Sequence, residues 1–231
     1  AVSGKCYLSL HSQNASANRG ACIQNCRHPY RVIDTETGEE LLVDNEYIMS
    51  PKDLCTIHIL DQIVDIGVDV LKIEGRSKGP DYVHTVTSCY REALQAIEDG
   101  TYTEERVKEW VKRLESVYNR EFWEGYYLGR KLGEWTSNPG SAATQRKVYL
   151  GKGVRYYSKI EVGEFLIETG TLKSGDMIMI TSPNFGMHSE KLTTLVVNGE
   201  PDTSASRGDR ITLPIKYKIS GKDKLYKLLQ S

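Results

Sequence analysis

The sequence predicts an α/β region over residues 1–145, followed by a small all-β module over residues 146–231. Three observations carry that prediction. Residues 50–117 set runs of helical apolar periodicity beside one short continuous apolar run, the grammar of a βα unit in a parallel sheet. After residue 145 the pattern changes to six or seven short strand-like runs separated by turn residues, which suits a small antiparallel barrel. The charge changes sign at the same place. Residues 1–145 carry 16 Lys and Arg against 22 Asp and Glu, while residues 146–231 carry 14 against 9, so a basic module follows an acidic one. The loop from Trp135 to Gln145, rich in Ser, Thr, Asn, Gly and Ala, marks the boundary.

Along the chain, residues 1–31 read as loop, being rich in Ser, Asn, Gln, Gly and Arg. Residues 32–49 read as a hairpin turning near Thr37-Gly38. Ser50-Pro51-Lys52-Asp53 has the form of a helix start, with Ser50 as cap, Pro51 in the first turn and Asp53 completing a capping box. Leu54, Ile57, Leu60, Ile63 and Val64 would be its apolar face. Gly67 ends that helix, and VDVLKI (68–73) reads as a buried strand. Glu74 and Arg76 then occupy a strand's C-terminal end, where chemistry gathers in parallel barrels. Pro80 opens a helix with Val83, Val86, Tyr90, Leu94 and Ile97 on one side, and Gly100 stops it. Thr103 caps another, with Glu104 and Glu105 at its positive end and Val107, Trp110, Val111, Leu114 and Val117 as its buried stripe. Two long helices in succession suit the outer ring of a barrel. Strands are expected at 147–150, 153–157, 164–168, 177–181, 192–197 and 211–219, with turns at Lys173-Ser174-Gly175-Asp176 and Asn198-Gly199.

Composition excludes several classes. Apolar residues at 39% and charged residues at 26% are those of a soluble globular protein, neither disordered nor membrane-embedded. The most apolar run, residues 63–73, carries Asp65, Asp69 and Lys72 and is too short to span a bilayer. The start lacks a charged-then-apolar signal. The chain opens on Ala-Val rather than Met, as expected of a piece excised from something longer. Five cysteines, an odd number, speak against a secreted disulfide framework and for cytoplasmic thiols that bind metal or stay free.

Four of those cysteines, Cys6, Cys22, Cys26 and Cys55, occupy two short stretches in polar, Gly-containing or helix-start positions. Thiolate ligands need a lowered pKa and nearby N–H donors. Cys6 follows Lys5, Cys22 follows Arg19-Gly20, Cys26 precedes Arg27, and Cys55 falls in the first turn of the expected helix. They read as most of a metal-binding shell, an iron–sulfur cluster first. A structural zinc site is an alternative, though its thiol pairs are usually closer than Cys6 and Cys22. Simple packing as small apolar side chains is another. Cys89, inside a helix, reads as packing.

The stretches SGKCYLS, ANRGACIQNCRHPY, SPKDLCTIHILDQIVDIGVDVLKIEGR and VYNREFWEGYYLG together resemble the signature of the collagenase-like peptidases, peptidase family U32, over about residues 1–145. Residues 146–231 look like the β-barrel appended in many members, similar to translation-factor barrels. The resemblance implies the C-terminal part of a parallel α/β barrel, followed by that small antiparallel barrel. Some members of the family resemble RNA hydroxylases acting on the tRNA wobble uridine or a ribosomal cytidine, and others hydroxylate ubiquinone precursors. For these it implies a four-iron four-sulfur cluster held by four cysteines, with prephenate as a co-substrate of the tRNA enzymes. Cys6, Cys22 and Cys55 match three ligand positions, with the fourth upstream of Cys6 and Cys26 in reserve. Glu74 and Arg76 would line the site, and Arg19 and Arg27 would hold an anionic substrate. RNA and the upstream half of the same polypeptide are the expected partners, with no membrane and no secreted partner.

Other features are weaker. Arg207-Gly208-Asp209 reads as a turn before a strand, and Asn14-Ala15-Ser16 as an unused sequon. His11, His28, His58, Tyr82 and His84 are candidate acid–base groups, and Cys55 with His58 is the one thiol–imidazole pair a peptidase reading offers. The sequence holds no Gly-x-Ser-x-Gly elbow and no His-Glu-x-x-His helix. RNA contact is suggested by Arg19, Arg27, Arg31 and Arg76. On the basic module it is suggested by Lys216, Lys218, Lys222, Lys224 and Lys227 interleaved with Tyr156, Tyr157, Tyr217 and Tyr226. Three function classes follow: an iron–sulfur RNA hydroxylase, a peptidase using a metal or thiol, and a non-catalytic RNA-binding module.

Overall fold

The computed structural model describes residues 7–15, 19, 21–41, 51–75, 78–129, 134–136 and 140–231. The chain divides into two compact units, one of residues 1–77 and 89–143, the other of residues 78–88 and 144–231.

In the first unit, α1 (Tyr7–Gln13) leads to a 3-10 turn at Asn25–Arg27. A short antiparallel hairpin follows, β1 (Val32–Ile33) with β2 (Glu40–Leu41), and Gly38 takes a positive φ in its turn as expected. The helix expected from Ser50 does not form there; Ser50 itself lies outside the described residues. Asp53–Leu54 is instead a strand, β3, and the helical path starts with a 3-10 turn at Ile57–Ile59 and becomes α2 only over Leu60–Asp65. The reason is tertiary. The Asp53 carboxylate is taken by Arg120, 67 residues away, rather than by its own backbone. The backbone of β3 pairs in parallel with β4 (Phe122–Trp123).

Gly67 ends the α2 segment with a positive φ, as the sequence implies. Beyond it, residues 68–75 form no strand, and Ile66, Val68, Val70, Leu71 and Ile73 are exposed. A parallel strand needs neighbours on the same sheet, and among the described residues none pairs with this run. The parallel α/β barrel is accordingly not seen; β3 with β4 is its sole parallel pairing among the described residues.

The two expected long helices are present as α3 (Pro80–Glu98) and α4 (Glu104–Glu115). Thr103 caps α4 by accepting from the Arg106 N–H, with Glu104 and Glu105 in its first turn. The buried residues of α3 are Val86, Cys89, Ala93 and Ala96, while Val83 and Leu94 face outward. The seam is thus shifted from the expected one onto small residues, which let a neighbouring helix approach. Glu92 of α3 ties to α4 by accepting from Trp110 Nε1 at 3.0 Å and bidentately from Arg113. Among the described residues no helix is long and apolar enough to cross a membrane.

The second unit is almost entirely antiparallel. Its strands are β5 (Gln145–Tyr157), β6 (Val162–Ile167), β7 (Thr171–Lys173), β8 (Met177–Ser182) and β9 (Gly186–Lys191). After them come β10 (Val196–Val197), β11 (Glu200–Pro201), β12 (Ser204–Ser206), β13 (Arg210–Pro214) and β14 (Lys224–Gln230). Eight form one sheet in the order β11-β10-β13-β6-β5-β14-β8-β9, and β7 pairs β12 separately. The outer strands β11 and β9 do not pair, so the expected barrel is an open sheet curled about one core. That core includes Leu150, Phe165, Ile167, Leu172, Ile178, Ile180, Ile211, Leu213 and Leu225.

The two strands expected at 147–150 and 153–157 are one long strand with a bulge between Gly153 and Arg155. Glycine is required there: a Cβ on Gly151 would lie 1.9 Å from the Leu166 carbonyl oxygen, and one on Gly153 2.3 Å from that of Ser220. The strand expected over 211–219 stops at Pro214, which has no N–H to continue a ladder. Asn198 and Gly199 both take positive φ in the β10–β11 turn, the conformation that pair favours. Arg207-Gly208-Asp209 is indeed a turn, with the Asp209 carboxylate accepting from the Ser206 N–H. The Lys-rich C-terminal segment is not merely a basic surface: β14 is a central strand between β5 and β8.

Candidate functional site

The candidate site of the first unit is built on β3 and the Cys22–Arg27 loop. The strand is held on both sides. The Lys52 N–H donates to the Glu134 carbonyl at 3.0 Å, the Asp53 N–H to that of Glu121 at 3.0 Å, and the Cys55 N–H to that of Trp123 at 2.9 Å. Asn119, fully buried, shapes the approach to β4: its Nδ2 donates to the carbonyls of Glu115 and Val117, and its Oδ1 accepts from the Glu121 N–H. This sets Arg120 against Asp53. Arg120 donates from its backbone N–H (3.1 Å), from Nε (3.0 Å) and from Nη2. The side chains are only 16% and 26% exposed, so the pair is largely out of water. The Arg120 guanidinium also lies over the Tyr118 ring, 5.8 Å from its centroid.

Arg27 comes to the same place from the cysteine loop. That loop is pinned to α1: Ser9 Oγ accepts from the Ile23 N–H at 3.2 Å, and Asn25 Nδ2 donates to Ser12 Oγ at 2.7 Å. Tyr30 closes it by donating to the Asn25 carbonyl at 2.7 Å. Arg27 Nη1 then donates to the Pro51 carbonyl at 3.1 Å, just before β3. Burial, and next the charge of Arg120, lower the Arg27 pKa; Cys26, Asp53 and Tyr118 act in the opposite direction. Arg120 thus holds the Asp53 carboxylate, and Arg27 feels the charge of both beside the half-buried Cys26 thiol; guanidinium groups are suited to a phosphate or carboxylate.

Cys55 is placed differently from its expected position. It follows β3, two residues before the 3-10 turn, instead of lying within a helix. It is buried, and burial pushes its thiol up, against the smaller opposing pull of the Ile57 amide and the Tyr90 hydroxyl. The Tyr90 hydroxyl donates to Cys55 Sγ at 3.9 Å and accepts from the Thr56 N–H at 3.0 Å. Burial holds the Tyr90 phenol well above its ordinary range. Cys22 and Cys26 are half-buried, and Cys89 is buried, as packing predicts.

The other expected site residues scatter. Arg19 is exposed beside the loop, and Glu74 is exposed in the irregular 68–75 segment rather than at a strand end. Cys6 and Arg76 lie outside the described residues. Among the described residues, no three His, Cys, Asp or Glu side chains converge to hold a metal. Cys22, Cys26 and Cys55 have the chemistry of cluster ligands, but the described residues do not assemble a shell by themselves. No hydrogen bond joins a thiol to a histidine among the described residues, and His58 is exposed. Sequence reasoning missed Asp53 as a site residue, reading it as a cap. It also passed over Tyr90, Tyr118, Asn119 and Arg120, although the last three lie in the quoted VYNREFWEGYYLG run.

A model described as Peptidase family U32 matches residues 1–137. The chain is similar to a collagenase of Porphyromonas gingivalis, 52% identical over 227 residues that cover 98% of this chain and 55% of that protein. It is similar to tRNA hydroxylation protein P1 of Bacillus subtilis, 36% identical over 133 residues, 56% of this chain and 32% of that one. It is also similar to a 23S rRNA 5-hydroxycytidine synthase of Escherichia coli, 40% identical over 97 residues, 42% of this chain and 14% of that one. The chain spans about half the length of the first of these relatives.

Proposed function

The chain belongs to peptidase family U32, and on that footing we propose that it is part of an RNA hydroxylase acting on tRNA. What supports the reading is the anchoring of Arg27 to the Pro51 carbonyl, two residues before the Asp53 that holds Arg120, together with relatives named for tRNA and rRNA hydroxylation. A guanidinium such as that of Arg27 fits an RNA phosphate or an anionic co-substrate such as prephenate. The neutral backbone of a peptide offers it nothing comparable.

In this reading Asp53 is a positioning residue. It accepts from three donors of Arg120 and so fixes that guanidinium, while Arg27, held to the Pro51 carbonyl, would contact the anion from the cysteine loop. Tyr90 holds Cys55 by hydrogen bonding to its sulfur. Cys6, Cys22 and Cys55 remain the thiols proposed to hold an iron–sulfur cluster, with Cys26 in reserve; such a cluster would supply the redox chemistry of hydroxylation. Glu74, Arg76 and Arg19 are kept as site candidates. The test is mass analysis of tRNA nucleosides from a strain lacking the gene. Loss of 5-hydroxyuridine derivatives is expected; an unchanged nucleoside profile overturns the substrate.

A second reading, peptide hydrolysis, is favoured by the relative at 52% identity named collagenase. It meets an obstacle in the lack of a base at Cys55: among the described residues no hydrogen bond joins that thiol to a histidine, and His58 is exposed. Gelatin cleavage abolished by Cys55→Ser and insensitive to iron removal would favour it.

A further inference from the structure

One end of the second unit carries aromatic rings that its core does not require. Phe185, in the turn between β8 and β9, stacks on Tyr217 with ring centroids 4.6 Å apart and planes 18° apart. His188, on β9, lies 5.5 Å from the same Tyr217 ring at 56°. Phe185 and Tyr156 pack inward against the core, so the cluster has a fixed base. Tyr217 is 43% exposed. Its loop is tied down where the Tyr156 hydroxyl donates to the Lys216 carbonyl at 3.3 Å, and the Phe185 turn where Ser182 Oγ accepts from the Asn184 N–H at 3.1 Å. Lys216 and Lys218 flank Tyr217 and are exposed. Among the described residues the carboxylate paired with these rings is that of Glu190, 3.4 Å from His188 Nε2.

An anchored, part-exposed ring between two lysines matches a base with phosphates on either side. Bases stack on aromatic faces with little regard to sequence, and cations follow the backbone. The excess of Lys and Arg over Asp and Glu in residues 146–231 points the same way. A proline-rich peptide also docks on aromatic rings, but it carries no charge for the lysines to meet.

We propose that Phe185, His188 and Tyr217, flanked by Lys216 and Lys218, form a stacking platform for single-stranded RNA. The proposal rests on the RNA reading above and names where the substrate chain is gripped. Fluorescence anisotropy of a labelled oligouridine with the full chain tests it. Tyr217→Ala should weaken binding roughly tenfold or more, the loss of one base stack, while Tyr217→Phe should retain it. Lys216→Gln with Lys218→Gln should flatten the slope of log affinity against log salt by about 1.4, two phosphate contacts on a single strand. Far-UV circular dichroism should be unchanged throughout, since these side chains are at the surface. Oligouridine bound equally by the wild type and Tyr217→Ala overturns the platform and leaves the RNA reading standing. No binding by the wild type overturns both. Displacement of the oligouridine by a Pro-Pro-Gly peptide that itself depends on Tyr217 assigns the rings to peptide and overturns the proposal.

Discussion

The two units reach order by different routes. In the second, neighbouring strands in the sheet are antiparallel, and fifteen buried residues form one continuous core. Its β8–β9 and β10–β11 hairpins pair close in sequence, and the C-terminal β14 returns to lie between β5 and β8. The first unit is held by sparse, long-range polar ties: Asp53 to Arg120, Arg27 to the Pro51 carbonyl, Ser9 to the Ile23 amide. It also leaves the apolar 66–73 segment exposed. Hydrophobic burial dominates the second unit, while the first adds hydrogen-bonded charge to a smaller apolar set such as Ile57, Leu60, Trp110 and Leu114. That division is expected where a site must hold polar groups in fixed geometry.

The contrast is sharpened by substitutions. The largest effect is expected from Phe165→Ala, which empties a fully buried position of the second core and should cost about 3–5 kcal/mol in urea unfolding of that unit. Arg120→Ala should cost roughly 2–4 kcal/mol, because it strands a mostly buried carboxylate. Its signature is local: faster hydrogen exchange at the Asp53 and Cys55 amides, with the second unit unaffected. Ser9→Ala should cost about 1–2 kcal/mol, since a buried hydroxyl both donates to the Ala15 carbonyl and accepts from the Ile23 amide. Val70→Asp should change stability by less than about 0.5 kcal/mol, because the side chain is 80% exposed. A loss above 1 kcal/mol would show that segment 66–73 is packed.

Alkali offers a further break between the units. Burial pushes the Cys89 thiol up to about 11 from its ordinary 9.0. Below pH 9 the thiol is protonated in folded and unfolded chains alike, and its contribution is intact. Between pH 9 and about 11 the unfolded chain releases that proton while the folded chain keeps it. The first unit should therefore lose stability across this window. Cys89→Ala should flatten the loss there, as followed by urea midpoints at stepped pH.

Much of the local grammar was legible in the sequence. Thr103 caps α4, Gly67 and Gly100 end their helices, and Asn198-Gly199 turns a hairpin, because each acts through its own backbone conformation. The failures turn on partners remote in sequence, which a local signal does not report. The capping signature at residues 50–53 is overruled by Arg120 and by parallel pairing with β4. VDVLKI has strand composition but no strand beside it among the described residues. In β14, Lys224 and Lys227 read as a basic face, yet Leu225 between them is fully buried, and Lys227 pairs with Asp176 at 2.7 Å. The bond of Arg120 to Asp53 across 67 positions carries no local signature, so the cysteines could be seen and that ion pair could not.

The central claim is that Arg27, set beside the Arg120–Asp53 pair, receives an anionic substrate in RNA hydroxylation. The most direct test returns Arg27→Ala in the whole gene to a deletion strain, with the wild type and the exposed-residue variant Lys108→Ala alongside, and measures 5-hydroxyuridine derivatives in tRNA by mass spectrometry. The account predicts restoration by the wild type and Lys108→Ala, and at least a tenfold deficit with Arg27→Ala at equal protein level. Full restoration by Arg27→Ala would contradict it.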